Sequence, residues 1–135
     1  MIEEDANRIA RFESAVAAFN EHGVEAFLER ATQDMHLATA AGFPGGGRFD
    51  GLGLVGQWLN EFVSHWAEVR YEYEDLRVEH GAVLHLCRWV VRAEGSHDEV
   101  SAEVFGCVRF RGELMSAMDL FWTEAEARRH AEKTA

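Results

Sequence analysis

A small number of side chains in otherwise apolar segments could exchange protons with a substrate. Asp34 and His36 stand two residues apart, a spacing that could give a catalytic pair or the edge of a metal site. Asp34 stands where a turn is expected, and the alternation of a strand directs His36 away from the face that carries Thr39. We therefore favour a structural role for both residues.

His85 and Asp119 lie within apolar runs in the second half of the sequence. A histidine can act as acid, base or hydrogen-bond donor near neutral pH. Asp119 could be a catalytic carboxylate, but strand alternation directs it to the outer face, toward Arg88 or Arg109. We predict a salt bridge with one of these arginines, unless a one-residue bulge after Gly112 reverses the assignment.

The sequence lacks the common motifs for metal binding, redox exchange and phosphate binding. Cys87 and Cys107 have no Cys-x-x-Cys spacing, so we interpret both as reduced packing residues. No Gly-Lys-Ser/Thr follows Gly45–Gly47, which argues against a phosphate-binding loop. Four further histidines fall at turns or near the C-terminus without metal-ligand spacing: His22, His80, His97 and His130. We expect no metal and no cofactor.

Length and charge limit the class of protein and its partners. With 135 residues, of which 47% are hydrophobic, the chain suits one domain, 1–135, with a well-packed core. The 24 acidic and 13 basic residues give a formal net charge of -11, the wrong sign for nucleic acid or an anionic membrane surface. No leader segment and no membrane-spanning run is present in the sequence, so we expect a cytoplasmic protein.

The first half of the sequence shows helical periodicity. Apolar residues from Ile9 to Phe19 predict a helix that ends at Gly23, and a shorter helical segment follows from Val24 to Ala31. A brief strand is predicted from Met35 to Ala40. The glycine-rich stretch 41–51 is interpreted as a mobile connection and a candidate lid, and a third, aromatic helix is predicted from Leu54 to Trp66.

The second half alternates with a period of two, which is typical of strands. Four consecutive strands with short turns predict an antiparallel meander, with bounds 70–79, 82–93, 100–111 and 114–122. Thr123-Glu-Ala-Glu126 is a capping box and predicts a short final helix. Helices followed by strands indicate an α+β fold in which the helices cover one face of a curved antiparallel sheet.

Four stretches, taken with the order of the elements, carry a family resemblance: Gly23–Leu28, Phe49–Gly51, Gly81 with Gly95, and Met118–Glu124. The chain from about Ile9 to Ala127 resembles the nuclear transport factor 2-like superfamily, and within it the SnoaL-like proteins and ketosteroid isomerases. The resemblance implies a cone-shaped curved sheet wrapped by N-terminal helices, a cystatin-like α+β barrel. It also implies an inner pocket for a small apolar molecule, and a convex face that commonly forms a homodimer.

The resemblance to ketosteroid isomerases does not extend to their catalytic groups. The positions of their tyrosine, carboxylate base and protonated acid fall near Ala15, Thr39 and Gly106 of this chain. Without a base or donors for the dienolate, we expect no steroid-isomerase activity.

The resemblance also sets which residues of each strand face the pocket. It directs Cys87 inward and Cys107 outward, and it makes His85 the only ionisable side chain on the inner wall. His85 is then either a proton-transfer group or a buried neutral histidine held by a tyrosine, a carbonyl or water. The predicted pocket residues are Thr39, Trp58, Phe62, Cys87, Trp89, Gly106, Met118, Leu120 and Trp122.

Two classes of function fit these observations. The first is a small-molecule-binding SnoaL-like protein with an apolar pocket. Its candidate activities are those of an isomerase, cyclase, dehydratase or hydrolase acting on a hydrophobic carbonyl compound. In the catalytic case His85 would transfer the proton, with Thr39 and a water as hydrogen-bond partners. The second is a non-catalytic ligand-binding or protein-interaction module of the same fold. In either case we expect a homodimer through the outer sheet face, where charged residues lie beside Leu84, Leu86, Phe105 and Phe121.

Overall fold

The computed structural model describes residues 3–135. The other two residues, Met1 and Ile2, belong to the N-terminal stretch that was considered for a leader segment and lie outside the described residues. Four helices and six strands follow each other along this part of the chain. Their bounds are α1 Glu3–His22, α2 Val24–Leu28, β1 Ala31–Ala38, β2 Arg48–Asp50, α3 Leu52–Ser64, β3 Glu68–Glu79, β4 Ala82–Arg92, β5 Glu99–Arg111, β6 Leu114–Phe121 and α4 Glu124–Lys133.

The strands form one six-stranded sheet in the order β2-β1-β6-β5-β4-β3. The predicted meander is confirmed, because β3 to β6 pair antiparallel in chain order. Strand β1 pairs parallel with β6, an arrangement the sequence did not indicate. The edge strands β2 and β3 of the described chain lie at opposite ends of the sheet, so the sheet is curved but open. The predicted α+β fold with N-terminal helices over a curved sheet is confirmed, and the sheet is not closed into a barrel.

The N-terminal helices pack on the inner face of the sheet, as predicted. Helix α1 buries Phe12, Val16 and Phe19 on one side because these residues recur at helical spacing. It ends at Gly23, whose N–H donates to the carbonyl oxygen of Phe19 at 2.9 Å. Helix α3 adds Trp58 to the same core. No helix among residues 3–135 combines the length and apolarity that crossing a membrane requires.

The predicted register of the central strands is confirmed. His85 lies opposite Gly106, and Cys87 lies opposite Val104. Both Cys87 and Val104 are buried in the core beneath the N-terminal helices. Cys107 belongs instead to a second apolar cluster on the outer face, so the two thiols lie on opposite sides of the sheet.

Helix α4 covers part of the outer face. It begins at the predicted capping box, in which the Thr123 hydroxyl accepts from the Glu126 N–H and the Glu126 carboxylate accepts from the Thr123 N–H, both at 3.2 Å. Ala127 and Ala131 pack on an outer apolar cluster that contains Leu84, with Phe105 and Phe121 at its margin. Much of the apolar outer surface that was predicted to form the homodimer is therefore covered by α4 of the same chain.

Candidate functional site

An apolar cavity of about 400 Å³ opens between the end of α3, strands β4 and β5, and the 39–47 loop that joins β1 to β2. Aromatic rings form most of its wall. The lining residues are Phe43, Pro44, Phe62, His65, Trp66, Trp89, Val91, Val100, Ser101, Ala102 and Trp122. Three of these, Phe62, Trp89 and Trp122, are among the residues predicted from the sequence.

Trp89 is held in place by neighbouring rings. It lies on the inner face of β4, and its ring centroid is 4.7 Å from that of Tyr71 and 5.4 Å from that of Phe62. Edge-on contacts of this kind fix the orientation of aromatic rings. Trp89 therefore forms a rigid inner wall of the cavity.

A second cavity of about 280 Å³ adjoins the first on the other side of the loop. Its lining residues are Pro44, Gly45, Trp58, Glu61, Phe62 and His65. Pro44, Phe62 and His65 line both cavities and form the partition between them. Trp58, predicted for the main pocket, lines only this smaller cavity. All four tryptophans of the chain thus line one cavity or the other.

Besides three tryptophans, whose indole N–H groups can donate, His65 and Ser101 are polar side chains that line the larger cavity. Both are exposed, which places them at its rim. The sequence analysis did not single out either residue. His65 follows Phe62 by three positions, and residues at that spacing share one face of a helix, so this signal was available.

His85 lies outside the cavity. Its side chain is 1% exposed, with the Phe12 ring 4.4 Å away and the backbone of Gly106 so close that a Cβ atom there would overlap the imidazole. Its Nε2 is hydrogen-bonded to the Tyr71 hydroxyl at 2.5 Å. Burial lowers the pKa of His85 to about 3, because the charged imidazolium would lose its hydration. This is the geometry of a neutral buried histidine held by a tyrosine, and Nδ1 has no partner among the described residues.

The remaining predicted pocket residues do not line either cavity. Cys87, Met118 and Leu120 are packed in the core, where side chains of α1 and β1 fill the space above the sheet. Gly106 is covered by the His85 ring. Thr39 accepts a hydrogen bond from the Gly47 N–H at 2.8 Å and so closes the base of the 39–47 loop. Strand alternation correctly predicted the inward direction of these residues, but the packed side chains of the helices leave the cavity at one end of the sheet.

No protein-family model matches the chain, and no curated protein is similar enough to count as a match. Solved structures do match over nearly the whole length. TerC, co-crystallized with polyporic acid, has a TM-score of 0.73 at 13% identity and covers 93% of this chain and 98% of its own. An NTF2-like protein of unknown function from Burkholderia pseudomallei K96243 has a TM-score of 0.73 at 17% identity, covering 91% and 95%. A putative SnoaL-like polyketide cyclase from Jannaschia sp. CCS1 has a TM-score of 0.72 at 11% identity, covering 97% and 94%.

The chain has the NTF2-like fold. The resemblance predicted from the sequence is confirmed at this level. Within this NTF2-like fold, the positions matched to the isomerase catalytic groups are Ala15, Thr39 and Gly106, and none of them carries an ionisable side chain.

The acidic candidates Asp34 and Asp119 lie outside the cavity of this NTF2-like chain. Asp34 accepts hydrogen bonds from Arg111 at 3.0 Å, which lowers the pKa of its carboxyl group. Asp119 is 5% exposed and accepts from His36 Nε2 at 3.0 Å and from His130 Nε2 at 3.1 Å.

The prediction that Asp119 forms a salt bridge with Arg88 or Arg109 is wrong. Its outward direction is as predicted, but α4 lies over it and supplies His130. Arg88 pairs instead with Glu103 at 2.7 Å, and Arg109 donates to the Ala131 carbonyl oxygen at 2.7 Å. Among residues 3–135, we find no group of three or more His, Cys, Asp and Glu side chains arranged to hold a metal ion.

Both cysteines are protonated packing residues in this NTF2-like fold. Burial raises the pKa of Cys87 to about 12 and that of Cys107 to about 11. A thiol must lose its proton to act as a nucleophile, so neither residue is prepared for covalent chemistry.

Proposed function

We propose that this chain binds an uncharged, hydrophobic small molecule in the larger cavity. The observation that carries the proposal is the wall itself, which is built almost wholly from aromatic and aliphatic side chains. Its volume of about 400 Å³ falls in the usual range of ligand sites. A hydrophobic carbonyl compound suits it, because His65 and Ser101 at the rim supply a hydrogen-bond donor each.

The absence of permanent charge in the wall argues against an ionic ligand. Among the described residues that line the larger cavity, none is Lys, Arg, Asp or Glu. An ion that entered would lose hydration without gaining a counter-charge. The formal net charge of -11 adds a general repulsion of anions.

Binding without proton transfer is the role we propose, rather than isomerase, cyclase, dehydratase or hydrolase activity through His85. A general acid or base must come within hydrogen-bond reach of the reacting atom. His85 is sealed from solvent by Phe12 and already bonded to Tyr71. Solved structures of the same fold support a small-molecule role, since one was co-crystallized with polyporic acid and another is described as a putative polyketide cyclase.

Filling the cavity with a side chain tests the proposal. Ala102 lies opposite Trp89 and lines the cavity, so Ala102→Phe should occupy the space that a ligand needs. We expect the uncharged probe N-phenyl-1-naphthylamine to brighten on binding the unaltered protein, and to lose at least about tenfold in affinity with Ala102→Phe. Ala10→Phe, on the exposed side of α1, is the matched control and should bind as the unaltered protein does.

Circular dichroism and thermal melting establish that both variants are folded. Equal probe affinity in a folded Ala102→Phe variant would reject this cavity as the binding site. No binding by the unaltered protein would reject the class of ligand.

We also propose that two chains associate through the part of the outer face that α4 leaves open. Leu86 and Phe105 are partly exposed there and lie opposite each other on β4 and β5. The Arg88–Glu103 ion pair lies next to them. This is a smaller surface than the whole outer face considered from the sequence.

A further inference from the structure

The 39–47 loop places one of its own side chains in the mouth of the larger cavity. The ring centroid of Phe43 is 6.1 Å from that of Trp122 and 6.5 Å from those of Phe62 and Trp58. These distances lie within the range of attractive aromatic pairs. Phe43 thus occupies a position that three other rings surround.

Polar contacts hold the outer part of the loop, residues 41–47, in this position, whereas Ala40 at its base is buried in the core. Trp122 Nε1 donates to the Ala41 carbonyl oxygen at 2.6 Å, and Trp58 Nε1 donates to the Gly45 carbonyl oxygen at 2.9 Å. Apart from the half-buried Phe43, the residues from 41 to 47 are exposed. Opening the loop would therefore exchange two hydrogen bonds for bonds to water, and only one large apolar side chain would have to move.

Glycines flank Phe43 at the points where the backbone has to turn. Gly42 and Gly45 have φ of +77° and +70°, in the region that favours glycine. A Cβ atom at either position would meet nothing within 4 Å, so their role is conformational and not steric. Glycine crosses between left- and right-handed backbone regions at little cost, which allows this loop to change shape.

The loop also divides the two cavities. Pro44 lines both of them, together with Phe62 and His65. If the loop moved outward, Phe43 and Pro44 would leave together, and the partition between the cavities would keep only Phe62 and His65. The vacated position would be lined by Phe62, Trp58 and Trp122, a set of rings suited to another ring.

We infer that the Phe43 ring occupies the position that an aromatic ring of the ligand would occupy. The ligand of this site would then carry an aromatic ring, which replaces Phe43 when the 39–47 loop moves outward. The inference rests on the proposed function, because it names the class of molecule that the same cavity binds. The loop acts as a gate whose closed state is the empty state.

Replacement of Phe43 tests this inference. If Phe43 competes with the ligand, Phe43→Ala removes the competitor and should bind 2-naphthol about tenfold more tightly than the unaltered protein, by isothermal titration calorimetry. The saturated analogue decahydro-2-naphthol has a similar size and the same hydroxyl group. It should bind more weakly than 2-naphthol, and its affinity should rise less on Phe43→Ala. Leu54→Ala removes an exposed apolar side chain of α3 that lines neither cavity, and serves as the control.

Each outcome of this titration decides something different. Weaker binding of 2-naphthol by Phe43→Ala would make Phe43 a wall of the site and overturn the inference, while the proposed function stands. Equal gains for both alcohols would overturn the aromatic preference. Failure of the unaltered protein and of Phe43→Ala to bind either alcohol would overturn the inference together with the proposed function.

A second variant tests the gate and changes one ring of the cavity wall conservatively. Trp122→Phe keeps an aromatic ring but removes the indole N–H that donates to Ala41. Loss of this tether destabilises the closed, empty state, so the association rate of 2-naphthol should rise several-fold and the dissociation rate should change little, measured by stopped-flow mixing. A higher dissociation rate with an unchanged association rate would show a contact with the ligand and no gate.

Discussion

The imidazole of His85 lies between the Phe12 ring and the backbone of Gly106, with the Tyr71 hydroxyl as its hydrogen-bond partner. Folding therefore favours its neutral form, and the pKa of the folded state is lowered to about 3 from the ordinary value of 6.5. The unfolded chain takes up this proton near pH 6.5, whereas the folded chain does so only near pH 3. Stability must then fall as the pH is lowered through this window.

We expect His85→Gln to flatten the pH dependence of stability. In the unaltered protein, the free energy of unfolding should lose roughly 1.5 kcal/mol between pH 6.5 and pH 5.0 from this histidine alone. The carboxyl groups with lowered pKa, such as those of Asp34 and Glu79, affect the free energy of unfolding mainly below their ordinary pKa values of 3.8 and 4.5. They therefore contribute little to its change between pH 6.5 and pH 5.0. Urea unfolding at several pH values measures both slopes, and parallel slopes for the two proteins would contradict the expectation.

At the level of residues, the sequence predicted which face of the sheet a side chain points to better than it predicted which residues contact that side chain. Strand alternation correctly directed His85 inward and Asp119 outward. It could not show that Phe12 would seal His85, because this contact joins parts of the chain far apart in sequence. It also could not show that α4, which directly follows β6, would fold back over the sheet and bring His130 to Asp119. Whether a polar side chain meets a cavity or the core depends on such distant contacts.

Among the elements, α4 is attached to the sheet mainly by small residues and polar contacts. Its buried side chains are only Ala127 and Ala131, which provide little apolar area. Polar contacts with the sheet include the His130–Asp119 and Arg109–Ala131 hydrogen bonds and two ion pairs with β3, Arg77–Glu124 and Arg128–Glu79. We therefore expect α4 to open locally before the rest of the fold.

Substitution of the cap tests this expectation. Thr123→Ala removes the acceptor for the Glu126 N–H and should lower the free energy of unfolding by about 1 kcal/mol. Amide hydrogen exchange should speed up most in α4, with little change in β3 to β5. Thr123→Ser keeps the hydroxyl and should restore slow exchange; uniform acceleration across the sheet would show that α4 does not open as a separate unit.

Most elements were predictable because each has a local signal. The helices, the meander and the capping box follow from periodicity and short motifs, and their bounds agree within a few residues, except that α1 begins at Glu3, well before the predicted start at Ile9. Strand β2 was missed because it has only three residues, Arg48–Asp50, next to a glycine-rich stretch. The parallel pairing of β1 with β6 was missed because it joins residues about eighty positions apart, such as Leu37 and Met118.

On the scale of the whole molecule, the net charge and the apolar part of the open outer face have opposite effects on self-association. The open outer face, through which we propose that two copies associate, exposes parts of Leu86 and Phe105, and Arg88 on it is already paired with Glu103. Each copy also carries a formal net charge of -11, so two copies repel each other at long range. Salt screens this repulsion, since the screening length falls from about 30 Å at 0.01 M to about 10 Å at 0.1 M.

We therefore expect self-association to strengthen with salt. Sedimentation velocity should show a larger share of particles with twice the mass of one chain at 0.3 M NaCl than at 0.01 M. Arg88→Glu should weaken association at both concentrations by leaving unpaired acidic groups on the open outer face. Arg48→Glu, an equal charge change on exposed β2, is the control. A single-chain mass under all conditions would exclude the dimer.

The tryptophans give this fold an optical property of its own. Since Trp58, Trp66, Trp89 and Trp122 all border the two adjoining cavities, every indole that can fluoresce lies at the site. The intrinsic emission of the protein is thus a label-free signal of occupancy, with no background from indoles elsewhere. Two of these indoles donate to the loop, so their emission would also report its opening.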